Sequence, residues 1–260
     1  MNFTFLRRWL LHPLLISKDI DDPDTTIIIN KIVRQNAFLN KIYREWYSLI
    51  VNSLPPGNQP VLEIGSGPGF LNQFIPRLIT ADIQPLPDIR MVNDARSLPF
   101  SNSSLRAIVM VNVLHHIPDL PGFFSEAERC LRPGGAIVAI EPWVSTWSRF
   151  IYNKFHHEPF NPETDKWEFV SSGPLSGANG ALPWVMFYRD SHKFESQFPN
   201  LQIKTIKPLM PFSYLVSGGV SLRQLMPGFT YGIWRLVDAL FEPLIGYFAM
   251  FSKIVLIRKK

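Results

Sequence analysis

Residues 61–70 read Val-Leu-Glu-Ile-Gly-Ser-Gly-Pro-Gly-Phe, and this run constrains the fold more than any other part of the chain. Its short apolar beginning predicts a strand, and the three glycines after it predict a tight turn. Glycine allows a positive φ and a close approach of the backbone to a ligand, because it has no Cβ. A helix that begins at Phe70 would direct free N–H groups towards an anionic ligand. The run therefore predicts a strand, a ligand-binding turn and a helix.

The spacing of these glycines distinguishes between classes of cofactor site. The dinucleotide fingerprint G-x-G-x-x-G is excluded, because Phe70 stands where its third glycine would be. The spacing E-x-G-x-G-x-G from Glu63 to Gly69 resembles motif I of the class I S-adenosylmethionine-dependent methyltransferases. A plain strand-to-helix connection is the alternative for this run alone. The resemblance implies a Rossmann-like fold and S-adenosylmethionine as the cofactor.

Strand and helix patterns alternate from residue 60 to residue 141, which favours a parallel sheet covered by helices. The predicted strands are Pro60–Ile64, Leu78–Ile83, Arg90–Val92, Leu105–Asn112, Ala136–Glu141, Leu201–Lys207 and Phe251–Arg258, and helices are predicted at Phe70–Leu78 and Leu120–Leu131. We therefore predict an α/β fold with a Rossmann-like, doubly wound, mostly parallel seven-stranded sheet and helices on both faces. We divide it into an N-terminal helical segment (1–56), a cofactor-binding core (57–142) and a substrate-side cap with the closing strands (143–260).

Acidic residues follow the predicted second and third strands, where ligands of open α/β sheets bind. Asp82 ends the second strand and can accept hydrogen bonds from both ribose hydroxyls, although a surface acid is the alternative. The segment from Asn93 to Phe100 resembles the D-A-x-x-L-P-F segment of the same enzymes, which implies contacts of Asp94 and Ala95 with adenine. The expected cofactor-binding residues are Glu63, Gly65, Ser66, Gly67, Gly69, Asp82, Ile83, Asp94, Ala95 and Asn112.

The segment after the fourth strand, from Asn112 to Asp119, resembles the V-L-H-H-x-x-D segment of the type 11 methyltransferase subfamily, which includes quinone and small-molecule methyltransferases. Leu131-Arg132-Pro133-Gly134-Gly135 resembles the L-R-P-G-G motif of these enzymes. The catalytic residue is left open, with His115, His116 and Glu141 as candidate bases, because imidazole titrates near neutral pH. A structural or cofactor-side role is the alternative for the two histidines. We expect no metal site, because no nearby carboxylate or cysteine completes a ligand set.

These patterns predict transfer of a methyl group from S-adenosylmethionine to a small hydrophobic or lipid-like acceptor. The alternatives are a binding module that keeps the fold without catalysis, and a nucleotide-dependent oxidoreductase. The interpretation of the acceptor depends on aromatic residues after residue 142, which suit an apolar ligand and equally suit a packed core. They are Trp143, Trp147, Phe150, Trp167, Trp184, Phe187, Tyr188, Phe212, Tyr214, Phe229, Tyr231 and Trp234.

Charge and composition set expectations for partners and location. The net charge of +5 and the pI of about 9.3 permit an anionic partner. The segment after the fourth strand lacks the (Asn/Asp)-Pro-Pro-(Tyr/Phe) motif of amine-methylating DNA enzymes, so we expect no nucleic-acid substrate. The apolar stretch from Tyr231 to Ile257 is interrupted by charges and predicts a core or cap helix, with peripheral membrane contact as the alternative. A single cysteine favours a cytoplasmic location, with the inner membrane surface as a second option. The oligomeric state stays open.

Overall fold

A computed structural model describes residues 8–67, 69–156, 158–171 and 173–260. Its seven strands form one sheet in the order β3-β2-β1-β4-β5-β7-β6, with β7 antiparallel to both of its neighbours and the pairings among β1 to β5 parallel. The strands are β1 (Val61–Ile64), β2 (Ile79–Asp82), β3 (Met91–Val92), β4 (Leu105–Val111), β5 (Leu131–Pro142), β6 (Leu201–Leu209) and β7 (Phe251–Arg258). The predicted seven-stranded, mostly parallel Rossmann-like fold is confirmed.

The alternation of side chains along the strands divides the core into two layers. On β4, Ile108 and Met110 face one layer, and Ala107 and Val109 face the other. Successive side chains of a strand point to opposite faces, and the apolar run of β4 therefore supplies both layers. Both faces of the sheet are thus covered, as predicted for a doubly wound arrangement.

Helices from several parts of the chain cover these layers. They include α1 (Pro23–Gln35), α2 (Ala37–Val51), α3 (Leu120–Cys130), α4 (Thr146–Phe155), α5 (Ser191–Gln197), α6 (Ser213–Ser217), α7 (Tyr231–Leu240) and α8 (Ile245–Phe248). The N-terminal helical pattern is divided at Asn36, whose side chain caps α2 by accepting hydrogen bonds from the N–H groups of Phe38 and Leu39. A capped start stabilises α2 as a separate helix.

The helix predicted at Phe70–Leu78 is wrong. In the described part of this segment the backbone forms a 3-10 turn, Leu71–Gln73, and no α-helix. Pro76 has no N–H to donate, and Arg77 adopts a φ of +60°, so the chain cannot continue as a helix. The N–H of Phe70 instead donates to the hydroxyl of Tyr47 on α2 (3.1 Å). The glycine turn is therefore supported by α2 and not by a helix of its own, and Pro68 lies outside the described residues.

The apolar stretch after residue 230 folds as α7, a turn at Glu242–Leu244, α8 and strand β7. Among the described residues, no helix is both long enough and apolar enough to cross a membrane.

Candidate active site

A cavity of about 1210 Å³ lies at the carboxyl ends of β1, β2 and β4. Gly65, Asp82 and Asn112 line it from the sheet, and Glu158 and Leu175 belong to the segments that line it after β5. The N-terminal segment closes another side with residues of α1 and of the turn before it. This is the edge at which open α/β sheets bind ligands.

The glycine turn and the end of β2 are joined by a hydrogen bond. The N–H of Gly67 donates to Asp82 Oδ2 (2.9 Å), and the N–H of Gln84 donates to Asp82 Oδ1 (3.0 Å). Burial raises the pKa of Asp82, and these backbone hydrogen bonds oppose the rise by favouring the carboxylate. Asp82 thus presents its carboxylate to the cavity at a fixed position beside the turn.

The three glycines of the turn are needed for different reasons. Gly65 has a φ of +61°, and a Cβ there would lie 2.4 Å from Val113 Cγ2. A Cβ at Gly69 would lie 2.8 Å from the carbonyl oxygen of Ser66. Gly67 has a φ of +39° and lines the cavity, and a Cβ there would come no closer than 3.7 Å to any other atom of the described residues. Glycine is therefore needed at positions 65 and 69 because a side chain there would clash with other atoms of the protein. Gly67 instead faces the space that a ligand would occupy.

Glu63 and Ser66 lie under the turn instead of on the cavity wall. Glu63 is 4% exposed, and the hydroxyl of Ser66 donates to its backbone carbonyl (3.4 Å). Burial raises the pKa of Glu63 to about 8, so this side chain is mostly protonated at neutral pH. The expected cofactor residues Glu63, Ser66 and Gly69 thus build the turn, while Gly65 and Gly67 reach the cavity.

The wall beyond Asp82 carries the other expected cofactor residues. Ile83 is 45% exposed on this wall, and Asp94 and Ala95 follow at the end of β3. Asp94 forms an ion pair with Arg96 (2.6 Å), and the hydrogen bond from the guanidinium lowers the pKa of the Asp94 carboxyl. The carboxylate of Asp94 is therefore charged at the edge of the cavity.

Asn112, at the end of β4, has an unmet hydrogen-bonding group. Its φ is +56°, and its side-chain oxygen is buried without a hydrogen-bond partner among the described residues. Buried polar atoms are nearly always hydrogen-bonded, and Asn112 lines the cavity. A ligand with a donor group at this end of the cavity would satisfy it, so the residues present fit a polar ligand that spans from Asn112 to Asp82.

His115 is fixed by Glu141, which lies behind it at the end of β5. His115 Nδ1 is 2.7 Å from Glu141 Oε2, and Glu141 Oε1 accepts the N–H groups of Val113 and Leu114. Glu141 is fully buried and does not line the cavity. Burial alone would lower the pKa of His115, but hydrogen bonds to Glu141 and Glu158 outweigh it and raise the pKa to about 10.

His116 and Glu158 meet on the cavity wall next to His115. His116 Nε2 lies 3.5 Å from Glu158 Oε1, and His115 Nε2 lies 3.4 Å from Glu158 Oε2. Burial and the charge of His115 lower the pKa of His116 to about 4. The reason given for expecting no metal site is wrong, because the fold supplies a carboxylate beside the two histidines. His156 and His157 come directly before Glu158 in the chain, and of these two the structure describes His156. His156 Nδ1 lies 3.6 Å from Glu158 Oε2.

Several residues that line the cavity were missed from the sequence, among them Glu158, Thr26 and Tyr43. Glu158 comes shortly after α4, at the start of an irregular segment with no periodic pattern, and its only local signal is the histidine pair at residues 156–157 before it. Thr26 on α1 donates to Gln84 Oε1 (2.8 Å), and Tyr43 on α2 lines the cavity. Helical periodicity marks these helices but does not show which of their residues reach a ligand site.

The aromatic residues expected in a cap mostly have packing roles. Of the twelve aromatics named from the sequence, Tyr214 lines the cavity, whereas Trp143, Trp167 and Phe187 are buried in the core, as far as the described residues show. Other aromatic residues supply the apolar wall: Tyr43, Tyr152, Phe155, Phe160, Phe169 and Phe251.

Comparison with known proteins gives matches for the part of the chain that contains the carboxyl ends of β1, β2 and β4. Residues 62–139 match a family model described as a methyltransferase domain. This stretch is similar to the methyltransferase domains that the family model describes. An uncharacterized methyltransferase of Mycobacterium sp. (strain JLS) is 30% identical over 104 residues, which cover 34% of this chain and 41% of that protein. A demethylmenaquinone methyltransferase of Tropheryma whipplei (strain Twist) is 32% identical over 103 residues, covering 32% and 41%.

The match is limited in length. The aligned stretch spans about 41% of these curated relatives. A phthiotriol/phenolphthiotriol dimycocerosates methyltransferase of Mycobacterium leprae is 41% identical over 54 residues, or 20% of each chain. A solved S-adenosylmethionine-dependent methyltransferase of Thermotoga maritima has a TM-score of 0.50 at 14% identity, covering 91% of this chain and all of that one. This structural likeness extends over most of the chain and concerns the fold alone.

Proposed function

We propose that the protein transfers a methyl group from S-adenosylmethionine to a small hydrophobic or lipid-like acceptor. The observation that carries the proposal is the cavity edge, where the Gly67–Asp82 pair and the unpartnered oxygen of Asn112 lie within the stretch that matches the methyltransferase family model. Bound S-adenosylmethionine supplies a sulfonium methyl group that is already electrophilic. The protein then has to orient the acceptor and exclude water.

Each cofactor residue has a role in this proposal. Asp82 would accept hydrogen bonds from the ribose hydroxyls, and Asp94 with the backbone of Ala95 would bind adenine. Asn112 would accept a hydrogen bond from the ammonium of the methionine part, and Gly67 leaves room for the backbone to approach the cofactor. Support comes from the shared cavity wall on which all of these residues lie.

The acceptor side of the cavity favours an apolar molecule. Tyr152, Phe160, Phe169 and Tyr214 contribute aromatic surface to its walls. Two relatives are named for demethylmenaquinone and for phthiotriol dimycocerosates, which are lipid-like molecules. We propose that the segments after residue 142 choose the acceptor. His115, His116 and Glu141 remain the candidates for handling a proton, with Glu141 acting through His115 because it does not reach the cavity.

Helix α7 has an apolar face that points to solvent. On α7 the apolar side chains of Ile233, Leu236 and Leu240 are 63%, 69% and 77% exposed. The charged residues of the same helix turn inward, because Arg235 pairs with Glu45 and with Asp238 (2.6 Å each). An outward apolar face on a surface helix marks an interaction site. We propose that this face rests on an anionic membrane, on the cytoplasmic side, and receives the acceptor there.

Calorimetry on the whole chain tests the proposed cofactor. We expect heat and thermal protection from S-adenosylmethionine and from its demethylated product, and neither from NAD. Binding of NAD alone would favour an oxidoreductase, and binding of S-adenosylmethionine without any transfer of labelled methyl groups to polar lipid or small-molecule extracts would favour a binding module. If S-adenosylmethionine gives no heat and no protection, the proposal fails.

A further inference from the structure

Two adjacent imidazole rings converge on one carboxylate in the cavity wall. The ring centroids of His115 and His116 lie 4.3 Å apart, and the Nε2 atoms of both rings face the carboxylate of Glu158 at 3.4 and 3.5 Å. The three nearest ligand atoms lie within 4.8 Å of one another. His115 comes directly before His116 in the chain, whereas Glu158 is brought in by the segment after α4.

The opposite nitrogen of each ring also faces an oxygen. His115 Nδ1 lies 2.7 Å from Glu141 Oε2, and His116 Nδ1 lies 3.3 Å from the carbonyl oxygen of Gly177. A carbonyl oxygen and an ionised carboxylate can only accept hydrogen bonds, and a neutral imidazole carries a single N–H. Neither ring can therefore satisfy both of its oxygen neighbours while it is neutral.

Three arrangements would resolve this conflict. In one, both rings carry two protons, which places two cations 4.3 Å apart, with His156 as a third imidazole beside the same carboxylate. In another, His115 alone carries two protons and its neutral neighbour donates only to Gly177. In the third, each ring donates its Nδ1 proton to Glu141 or Gly177, and one cation lies between the two Nε2 atoms and Glu158. The third arrangement avoids the repulsion between two imidazolium rings and also gives both Nε2 atoms a partner.

The geometry resembles a metal centre in two further respects. In a tetrahedral site with bonds of about 2.0–2.1 Å, two ligand atoms lie about 3.3–3.4 Å apart. Each Nε2 atom lies at a similar distance from its own oxygen of Glu158 (3.4 and 3.5 Å), and the three ligand atoms lie within 4.8 Å of one another, so a small inward shift would complete the set. Metal-binding histidines also commonly donate their second N–H to a carboxylate or a backbone carbonyl, the positions that Glu141 and Gly177 hold.

We propose that His115, His116 and Glu158 bind a divalent transition-metal ion of the Zn²⁺ type, with Glu141 and Gly177 orienting the two rings. Two nitrogen ligands and one carboxylate suit such an ion, and three protein ligands leave a coordination position open. All three ligand residues line the cavity, so the open position faces the space for the acceptor. The proposal depends on none of the cofactor residues, but it replaces the proton-handling role of His115 and His116, because both nitrogens of a metal-bound ring are then occupied.

Metal titration of the whole, chelator-treated chain tests this site. We expect one Zn²⁺ per chain by calorimetry, and with Co²⁺ a visible absorption band typical of four-coordinate cobalt. Glu158→Gln and His116→Gln should each weaken binding by at least about 100-fold and remove the cobalt band, because each removes a ligand. Glu141→Gln should weaken it by about 10- to 100-fold, because it removes only the orienting partner of His115.

The matched control is His192→Gln, which removes an exposed imidazole on α5 and should leave metal affinity unchanged. Thermal melts of each metal-free variant check that the fold is retained, and the two ligand variants give independent tests if one of them unfolds. The proposal is overturned if the folded parent chain binds no ion, or if the affinity is the same in both ligand variants as in the parent chain. Binding of S-adenosylmethionine is measured separately, so that a failure of the proposed cofactor can be distinguished from a failure of the proposed metal site.

Discussion

The carboxyl ends of β1 to β3 and the cavity wall after β5 hold their polar groups in place by different means. On the first side, backbone N–H groups and strand-end acids such as Asp82 lie in place through main-chain hydrogen bonds. On the second side, Glu158 and Gly177 come from irregular segments, and the polar groups contact one another through side chains. In the proposed function, the first side is the cradle for the cofactor, whose groups are held by main-chain hydrogen bonds, whereas the second side selects the acceptor through its side chains.

The buried acid under the cradle gives the largest expected effect on stability. The pKa of Glu63 is raised from 4.5 to about 8, so the folded chain keeps the proton while the unfolded chain releases it. Stability contributed by this group therefore falls as the pH rises from about 4.5 to about 8, by on the order of 4 kcal/mol. Glu63→Gln should remove this component, as measured by denaturant unfolding at several pH values in that window.

Glu195→Gln is the control for that pH dependence, because Glu195 is an exposed acid on α5. It should follow the parent chain at every pH. Parallel curves of stability against pH for the parent chain and Glu63→Gln would show that Glu63 is already ionised in the folded protein. The glycine turn would then not rest on a buried, protonated acid.

The two glycines of the turn should separate stability from binding. Gly65→Ala places a methyl group 2.4 Å from Val113 in a left-handed backbone, and should lower the free energy of unfolding by about 3 kcal/mol. Gly67→Ala meets no close protein atom and should cost about 1 kcal/mol of stability, yet still weaken S-adenosylmethionine binding. Chemical unfolding together with calorimetry checks both; equal losses of stability would contradict the division of roles.

Much of the cradle could be predicted from the sequence, because its groups follow strand ends and a glycine turn that have local patterns. The exception is the helix after the turn: glycines and apolar residues favoured it, and Pro76 with the left-handed Arg77 prevents it. Glu158 could not be predicted as a neighbour of His115, because no local pattern specifies how an irregular segment folds back on a strand end. The aromatic residues show the same limit, since composition does not distinguish core from cavity wall.

Removing the charge at the end of β2 should weaken cofactor binding. Asp82→Asn keeps the shape of the side chain but weakens its hydrogen bonds to ribose and loses one of the two oxygens that accept the N–H groups of Gly67 and Gln84, so S-adenosylmethionine affinity should fall by about 30-fold. Asp88→Asn is the matched control, because Asp88 is an exposed acid in the following turn and does not line the cavity. Calorimetry at constant pH measures both, and an affinity unchanged by Asp82→Asn would remove Asp82 from the ribose role.

The smallest expected effect concerns the outward face of α7, which lies outside the cavity lining. Leu236→Glu places a charge on the outward face of α7, where this side chain is 69% exposed, and should reduce flotation with anionic vesicles by about 10-fold. Val92→Glu changes an exposed apolar residue on the edge strand β3 and should leave flotation unchanged. S-adenosylmethionine affinity should be the same in both variants, since neither residue lines the cavity. Equal flotation of Leu236→Glu and the parent chain would contradict membrane contact through α7, and a change from dimer to monomer on the same substitution would instead assign this face to a second copy of the chain.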